Sequence, residues 1–264
     1  MRSKRVMEII RIILLILMWV LIIGFSCNFV MTKISRSFYK GDKKFSSVSF
    51  TPEKIRINDN LTGYGYHLDQ ESENLIILFG GSFYTAYNSI GQFGGYYDCP
   101  VISVDYYGTQ ESTGKMNLKT MKRSAEEIYD WALENYPKAS VTIIGHSYGC
   151  GMAAYLASVR ESENLVLASG YRDLADMYNK YTPVFWGPMK VFLSDNIDVK
   201  KYAENTDCNV TIIGSEADHV LNAKLQKKVA DCYKNADLHI YDDIEHENYL
   251  KDEKVIDLIR SIVE

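Results

Sequence analysis

The chain has 264 residues, is 47% hydrophobic and carries a formal net charge of −5. That is enough apolar material for one large core, while five scattered cysteines (Cys27, Cys99, Cys150, Cys208, Cys232) indicate neither a disulfide framework nor a zinc site. Residues 1–44 hold nine Lys/Arg against two acidic residues and the remainder twenty against thirty-two, so an acidic body sits on a basic arm, which argues against nucleic acid and for a membrane beside the arm.

Residues 1–11 are a basic N-terminus, with Arg2, Lys4, Arg5 and Arg11. From Ile12 to Met31 no charge occurs, and about twenty apolar residues span a bilayer core as a helix. The pattern fits a signal peptide or a signal anchor. No A-x-A-like cleavage site follows, and Gly24-Phe25-Ser26-Cys27 has Gly24 where a lipoprotein processing site has Leu. The segment is therefore read as an uncleaved single-pass anchor, with a short basic tail that stays inside and a body outside the cytoplasm. Residues 32–46, polar and basic, read as a linker.

Residues 47–264 form the body. Ser47 to Ile57 and Tyr64 to Leu68 read as two opening strands turning around Asn58-Asp59-Asn60. Leu75–Phe79 and Val101–Asp105 are continuous apolar runs, as strands buried on both faces are. Leu118 to Tyr136 has helical spacing and stops before Pro137. Strands follow at Val141–Gly145, Leu165–Ala168, Val210–Ile213 and Leu238–Tyr241, with helices at Leu221–Tyr233 and Asn248–Val263. Alternating strands and helices mean a mostly parallel sheet covered on both faces. An insert at about 171–207, rich in aromatics and proline (Tyr178, Tyr181, Phe185, Trp186, Pro188), suggests a cap over a site or plain core.

The chemistry is carried by Gly145-His146-Ser147-Tyr148-Gly149. A β-branched strand enters this Gly-x-Ser-x-Gly turn and a small-residue helix leaves it, which is the context of a nucleophile elbow. A serine nucleophile needs a base, and the base an orienting acid. Of the five histidines, His246 lies in a loop between the last strand and the last helix and is the candidate base. His146 belongs to the elbow and is expected to face away from that base, while His67 and His239 fall in strands. The acid is expected between Ser147 and His246, after a strand. Asp218 is the first candidate, Glu216 the rival, and Asp242 or Asp243 more distant ones. Oxyanion donors are expected from the N–H of Tyr148 and, in Gly80-Gly81-Ser82-Phe83, from Ser82. The tyrosines Tyr84, Tyr87, Tyr96, Tyr97, Tyr106 and Tyr107 read equally well as an acyl pocket and as packing.

Together these residues resemble the α/β-hydrolase superfamily and, within it, the BEM46-like, ABHD-type membrane-anchored serine hydrolases. The resemblance rests on Phe79–Ser82, on Asp105-Tyr106-Tyr107-Gly108-Thr109-Gln110-Glu111-Ser112-Thr113-Gly114, on Gly145–Gly149, on Glu216-Ala217-Asp218 and on Glu245–Asn248. It departs from the family pattern at Gln110 for a glycine, at Gly214-Ser215 for His-Gly, and at Ser82 for Asn. What it implies is an α/β-hydrolase fold with a short cap and a Ser147–His246–Asp218 triad. Hydrolysis of an ester, thioester or lipid acyl bond follows, with no metal or organic cofactor required. The alternatives are a peptidase or amidase of the same fold and a non-catalytic membrane-tethered binding protein.

Overall fold

The structure, a computed structural model, describes residues 2–41 and 48–263. It begins with one continuous helix, α1 (Arg2–Lys40). The expected linker is a correction: residues 32–40 continue the helix, and 42–46 lie outside the described residues. The helix ends at Gly41, whose φ of +59° is the left-handed conformation that closes helices and that glycine adopts at least cost.

The body is an eight-stranded sheet in the order β1-β2-β4-β3-β5-β6-β7-β8. The strands are β1 (Glu53–Asn58), β2 (Leu61–Tyr66), β3 (Asn74–Phe79), β4 (Val101–Val104), β5 (Ser140–His146), β6 (Asn164–Ala168), β7 (Asn209–Ser215) and β8 (Ala236–Tyr241). β1 and β2 form an antiparallel hairpin through Asp59-Asn60, β2 runs antiparallel to β4, and the other pairings are parallel. β1 starts at Glu53, later than the sequence suggests, because Pro52 cannot donate to a ladder; Ser47 lies outside the described residues. β2 starts earlier and ends at Tyr66, because His67 turns to a φ of 58°.

Alternate side chains of each central strand feed two cores. Leu75, Ile77 and Phe79 face one layer with Ile143, Leu165 and Ile212, under α3 (Leu118–Asn135), α4 (Cys150–Ala157) and α7 (Ala223–Ala230). Ile76 and Leu78 face the other, under α2 (Ala86–Phe93) and α8 (Glu253–Val263). The sequence reading had no helix at α2; it is short, but Thr85 caps it by accepting from the Asn88 N–H. The insert holds α5 (Leu174–Tyr178) and α6 (Val199–Ala203), joined by a tight-turned stretch, Gly187–Phe192. Its Tyr178 and Phe185 are buried, whereas Tyr181 and Trp186 are exposed.

Register aligns the strand ends. Phe79 pairs with Gly145, His146 with Ala168, Ala168 with Ile213, and Ser215 with Tyr241. The loops after β3, β5, β6, β7 and β8 therefore leave from one edge, the carboxyl end of the parallel strands, where open α/β sheets place their sites.

Candidate active site

Ser147 follows β5 directly and begins a tight turn, Ser147–Gly149, that runs into α4. Its φ is 50°, a left-handed conformation that costs a non-glycine residue about 1–2 kcal/mol and so marks a geometry imposed by its surroundings. The turn packs so tightly that a Cβ on residue 149 would stand 2.1 Å from the Phe79 carbonyl oxygen; only glycine fits. Ser147 itself is 2% exposed.

The serine hydroxyl donates to His246 Nε2 at 2.9 Å, and His246 Nδ1–H donates to Asp218 Oδ2 at 2.9 Å. Asp218 is fully buried and stands in the loop after β7. Burial penalises its charge, but the hydrogen bond and charge of His246, the Ser169 hydroxyl and the Leu221 N–H outweigh that, holding the carboxyl well below the usual carboxylate range. Its Oδ1 accepts from the N–H groups of Val220 and Leu221 at 2.8 and 2.9 Å. The rival acids stand elsewhere. Glu216 and Asp242 are exposed, and Asp243 pairs with Lys254. Among the other histidines, His239 pairs with Asp237 and His219 is exposed.

Three residues that the sequence reading did not assign to the site support it. Ser169, at a φ of 53° just after β6, donates to Asp218 Oδ2 at 2.6 Å and lies 3.0 Å from His246 Nδ1. Tyr249 donates to the same carboxylate oxygen at 3.2 Å. Ser215 accepts through its hydroxyl oxygen from Ala217 N–H at 3.1 Å and from Ile244 N–H at 3.0 Å, tying the acid loop to the histidine loop. The one sequence signal for Ser169 is its position after a parallel strand; a hydroxyl there has no motif around it.

His146 adds a connection. It does not face away from the base as the sequence suggests: its ring lies 5.4 Å from the His246 ring, and its Nε2–H donates to the backbone carbonyl of His246 at 2.9 Å, so the elbow holds the backbone of the histidine loop. Burial, then the nearby His246, push His146 down to about 4, which keeps it neutral near pH 7.

Tyr148 follows the serine, and as the second residue of its turn it has an N–H with no partner inside the turn. Gly81 approaches closely: a Cβ there would lie 3.5 Å from Ser147 Cβ and 2.9 Å from His146 Nδ1. Ser82 follows on that loop, and Phe83 next to it has a φ of 66°. The last turns of α1 brace both sides of this gap. The Phe83 N–H donates to the Phe38 carbonyl at 2.8 Å, and Tyr39 OH donates to the Tyr148 carbonyl at 3.2 Å. The Phe38 ring meets Phe83 and Tyr148 edge-on at 5.0 and 5.2 Å. Gln110 reaches back to α1, its amide donating to the carbonyls of Lys40, at 2.8 Å, and Gly41. Two of the six tyrosines are packing residues: Tyr97 is buried in the α2–α8 layer and Tyr107 OH donates to Glu127.

Among the described residues, no group of three or more His, Cys, Asp or Glu could hold a metal ion. Cys150 is buried, and burial pushes its thiol well up, so it is an inert core residue.

A family model described as alpha/beta hydrolase fold matches residues 76–189. Among curated proteins no significant match is found. Among solved structures, the Pyrococcus furiosus esterase Pf2001 is similar at 16% identity with a TM-score of 0.61, over 83% of this chain and 98% of that one. Est1E from Butyrivibrio proteoclasticus, solved with ferulic acid bound, is similar at 16% identity and 0.59, over 79% and 96%. An acylaminoacyl peptidase from Pyrococcus horikoshii is similar at 16% and 0.55, over 80% of this chain and 40% of that one. The fold is the α/β-hydrolase fold.

Proposed function

We propose that the chain is a membrane-anchored serine hydrolase of the α/β-hydrolase superfamily, of the BEM46-like type, cleaving an ester, thioester or lipid acyl bond. The observation that carries this reading is the unbroken chain of 2.9 Å contacts from Ser147 Oγ to His246 Nε2 and from His246 Nδ1 to Asp218. Ser147 Oγ attacks the substrate carbonyl carbon while His246 Nε2 takes the hydroxyl proton. The carbonyl electron pair moves to oxygen, and the resulting oxyanion accepts from the N–H groups of Tyr148 and Ser82. His246 then returns the proton to the leaving alcohol or thiol, giving an acyl-enzyme. Water, deprotonated by His246, attacks that acyl carbon and releases the acid and Ser147. Asp218 keeps the imidazole in the tautomer with Nδ1 protonated and stabilises its positive charge.

α1 is long and apolar enough to cross a membrane, which supports an anchor at residues 12–31; the short basic tail ahead of it is the ground for placing the catalytic body outside the cytoplasm. An acyl chain or lipid is the matching substrate class.

The test is labelling by a fluorophosphonate probe in membranes. Labelling is expected for the native chain and absent from Ser147→Ala; no labelling of folded native chain would refute the proposal. The second reading is peptidase or amidase activity, favoured by the likeness to the acylaminoacyl peptidase. Comparing p-nitrophenyl esters with aminoacyl anilides separates the two.

A further inference from the structure

The insert carries side chains that a soluble surface does not need. Trp186 is 63% exposed, Val191 80% and Tyr181 60%. They flank Phe192, which turns the other way, onto α1. The Phe192 ring meets Phe25 edge-on at 5.1 Å and lies over Gly24, where a Cβ would stand 2.5 Å from it. One turn further along, Asn28 donates to the Ser194 hydroxyl at 2.9 Å and accepts from the Ser194 N–H at 3.2 Å.

The level of these contacts along α1 decides what faces them. Gly24 and Phe25 close the unbroken apolar run and lie six or seven residues before Met31, where the uncharged stretch ends. At 1.5 Å per residue that is about 10 Å short of the end. If residues 12–31 cross the bilayer, anything packed on residues 24–28 is at or below the headgroup level, because headgroups add only about 5–8 Å beyond each side of the hydrocarbon. Trp186 is the residue type that settles at this depth, with an apolar ring and one polar N–H. The outer face of α1 agrees: Phe25 and Phe29 are each 61% exposed, and Lys33 Nζ sits 4.7 Å from the Phe29 ring centroid, its stem folded back along apolar surface.

We infer that the insert from Tyr181 to Phe192 is a second membrane-contact element, which dips into the near leaflet of the bilayer that α1 crosses and buries Trp186 and Val191 near the headgroup boundary. This rests on the anchor reading of α1. Two attachments fix the orientation of the body, which a single helix could not, and they hold the carboxyl edge of the sheet towards the lipid. Phe38 and Tyr39, which brace the gap beside Ser147, are seven and eight residues beyond Met31, or roughly 10–12 Å along the helix. The nucleophile is thus held about 2–7 Å beyond the outer edge of the headgroups, within reach of a membrane-resident amphiphile whose acyl linkage is drawn partly out of the bilayer.

The three tryptophans test this without substrate, because Trp19 lies in the apolar run, Trp131 on α3 away from it, and Trp186 in the insert. The full chain is reconstituted in phosphatidylcholine vesicles with acyl chains brominated either near the carbonyl end or near the middle. In each of three variants two tryptophans are replaced by Phe and the third reports. Trp186 is expected to be quenched by the shallow label about twofold more than Trp131, and Trp19 mainly by the deep label. Trp19 quenched while Trp186 behaves like Trp131 overturns the second contact and leaves the anchor standing. Trp19 unquenched by either label overturns the anchor reading and the inference with it. A single Trp186→Phe change in the otherwise native chain is the control for folding, and it should remove the shallow-quenched fraction and nothing else; a fraction that persists also overturns the inference.

Discussion

The turn Ser147–Gly149 and the last turns of α1 meet at Tyr148, one through the main chain and the other through Phe38 and Tyr39, yet they are built on different principles. In the turn, each residue type is dictated by a local requirement: no Cβ against the Phe79 carbonyl, a hydroxyl at a left-handed φ, a backbone donor behind it. In α1 nothing local dictates the contact. Its buried positions are Gly24, Asn28, Met31 and Ser35, spaced by three and four, a helical stripe made of small and polar residues inside an apolar background. The first kind of element can be recognised from five residues, whereas the second exists only once its partner is in place.

The largest effect tests the turn. Ser147→Ala is expected to lower esterase kcat by about 10⁴–10⁶-fold with the fold intact, and Asp218→Asn by about 10⁴-fold, because residues acting as a unit fail together. Stopped-assay kinetics on a p-nitrophenyl ester measure both. An Asp218→Asn enzyme within tenfold of native would remove the acid from the proposed unit.

The matching test of α1 is smaller and of another kind. Met31 is 1% exposed and its sulfur accepts from the Thr182 hydroxyl at 3.7 Å. Met31→Ala is expected to cost about 3 kcal/mol in thermal or denaturant unfolding, while kcat falls less than about tenfold. If it abolished activity without changing stability, α1 would belong to the chemistry as much as the turn does.

The same contrast explains what could be read in advance. The strands, the sheet and the chain order Ser147, Asp218, His246 follow from apolar runs and glycine placement, both local signals. Ser169, Tyr249 and Ser215 could not be read, because a hydroxyl becomes a site residue only through the alignment of strand ends that brings β6, β7 and β8 side by side. The linker expectation failed over residues 32–40 for the reason the α1 stripe is invisible in the sequence: Ser35 and Arg36 look solvated until Tyr178 and Asp195 are known to lie opposite. Helix α2 was missed because its eight residues carry Asn, Ser and Gly inside, and packing on β3 and β4 overrides that propensity.

Acid should take the two regions apart in order. His146 is held neutral, pushed down to about 4 from an ordinary 6.5, so its contribution is fully present above pH 6.5 and is lost as pH falls through 4. That corresponds to roughly 3 kcal/mol, and it acts where His146 holds the His246 carbonyl, with Asp218 as the facing carboxylate. Asp218, held below its usual range, adds its loss only below about pH 4. Gly24, Asn28, Met31 and Ser35 do not titrate. Hydrogen exchange at pH 4.5 should therefore show residues 244–248 opening before 24–35, and His146→Gln, which keeps a donor and cannot charge, should flatten the stability loss between pH 6.5 and 4. An unchanged slope in that variant would place the acid sensitivity elsewhere.

The smallest effect sits where the two regions join. Gln110 stands at a φ of 47°, where the resemblance implies glycine, and its amide donates to the carbonyls that end α1. Two terms oppose each other there. A left-handed non-glycine residue costs about 1–2 kcal/mol, and hydrogen bonds to carbonyls at a helix end return about 1 kcal/mol each. Gln110→Gly removes both terms and should leave global stability within about 1 kcal/mol of native. Gln110→Ala keeps the strain and loses the bonds, so it should cost about 1–2 kcal/mol more than the glycine variant. In both, amide exchange at residues 38–41 should quicken by about fivefold, since about 1 kcal/mol of local anchoring is gone. Were the alanine variant as stable as the glycine one, the backbone at residue 110 would be relaxing out of its left-handed conformation, and the link from the Asp105–Gly114 loop to the end of α1 would carry no strain.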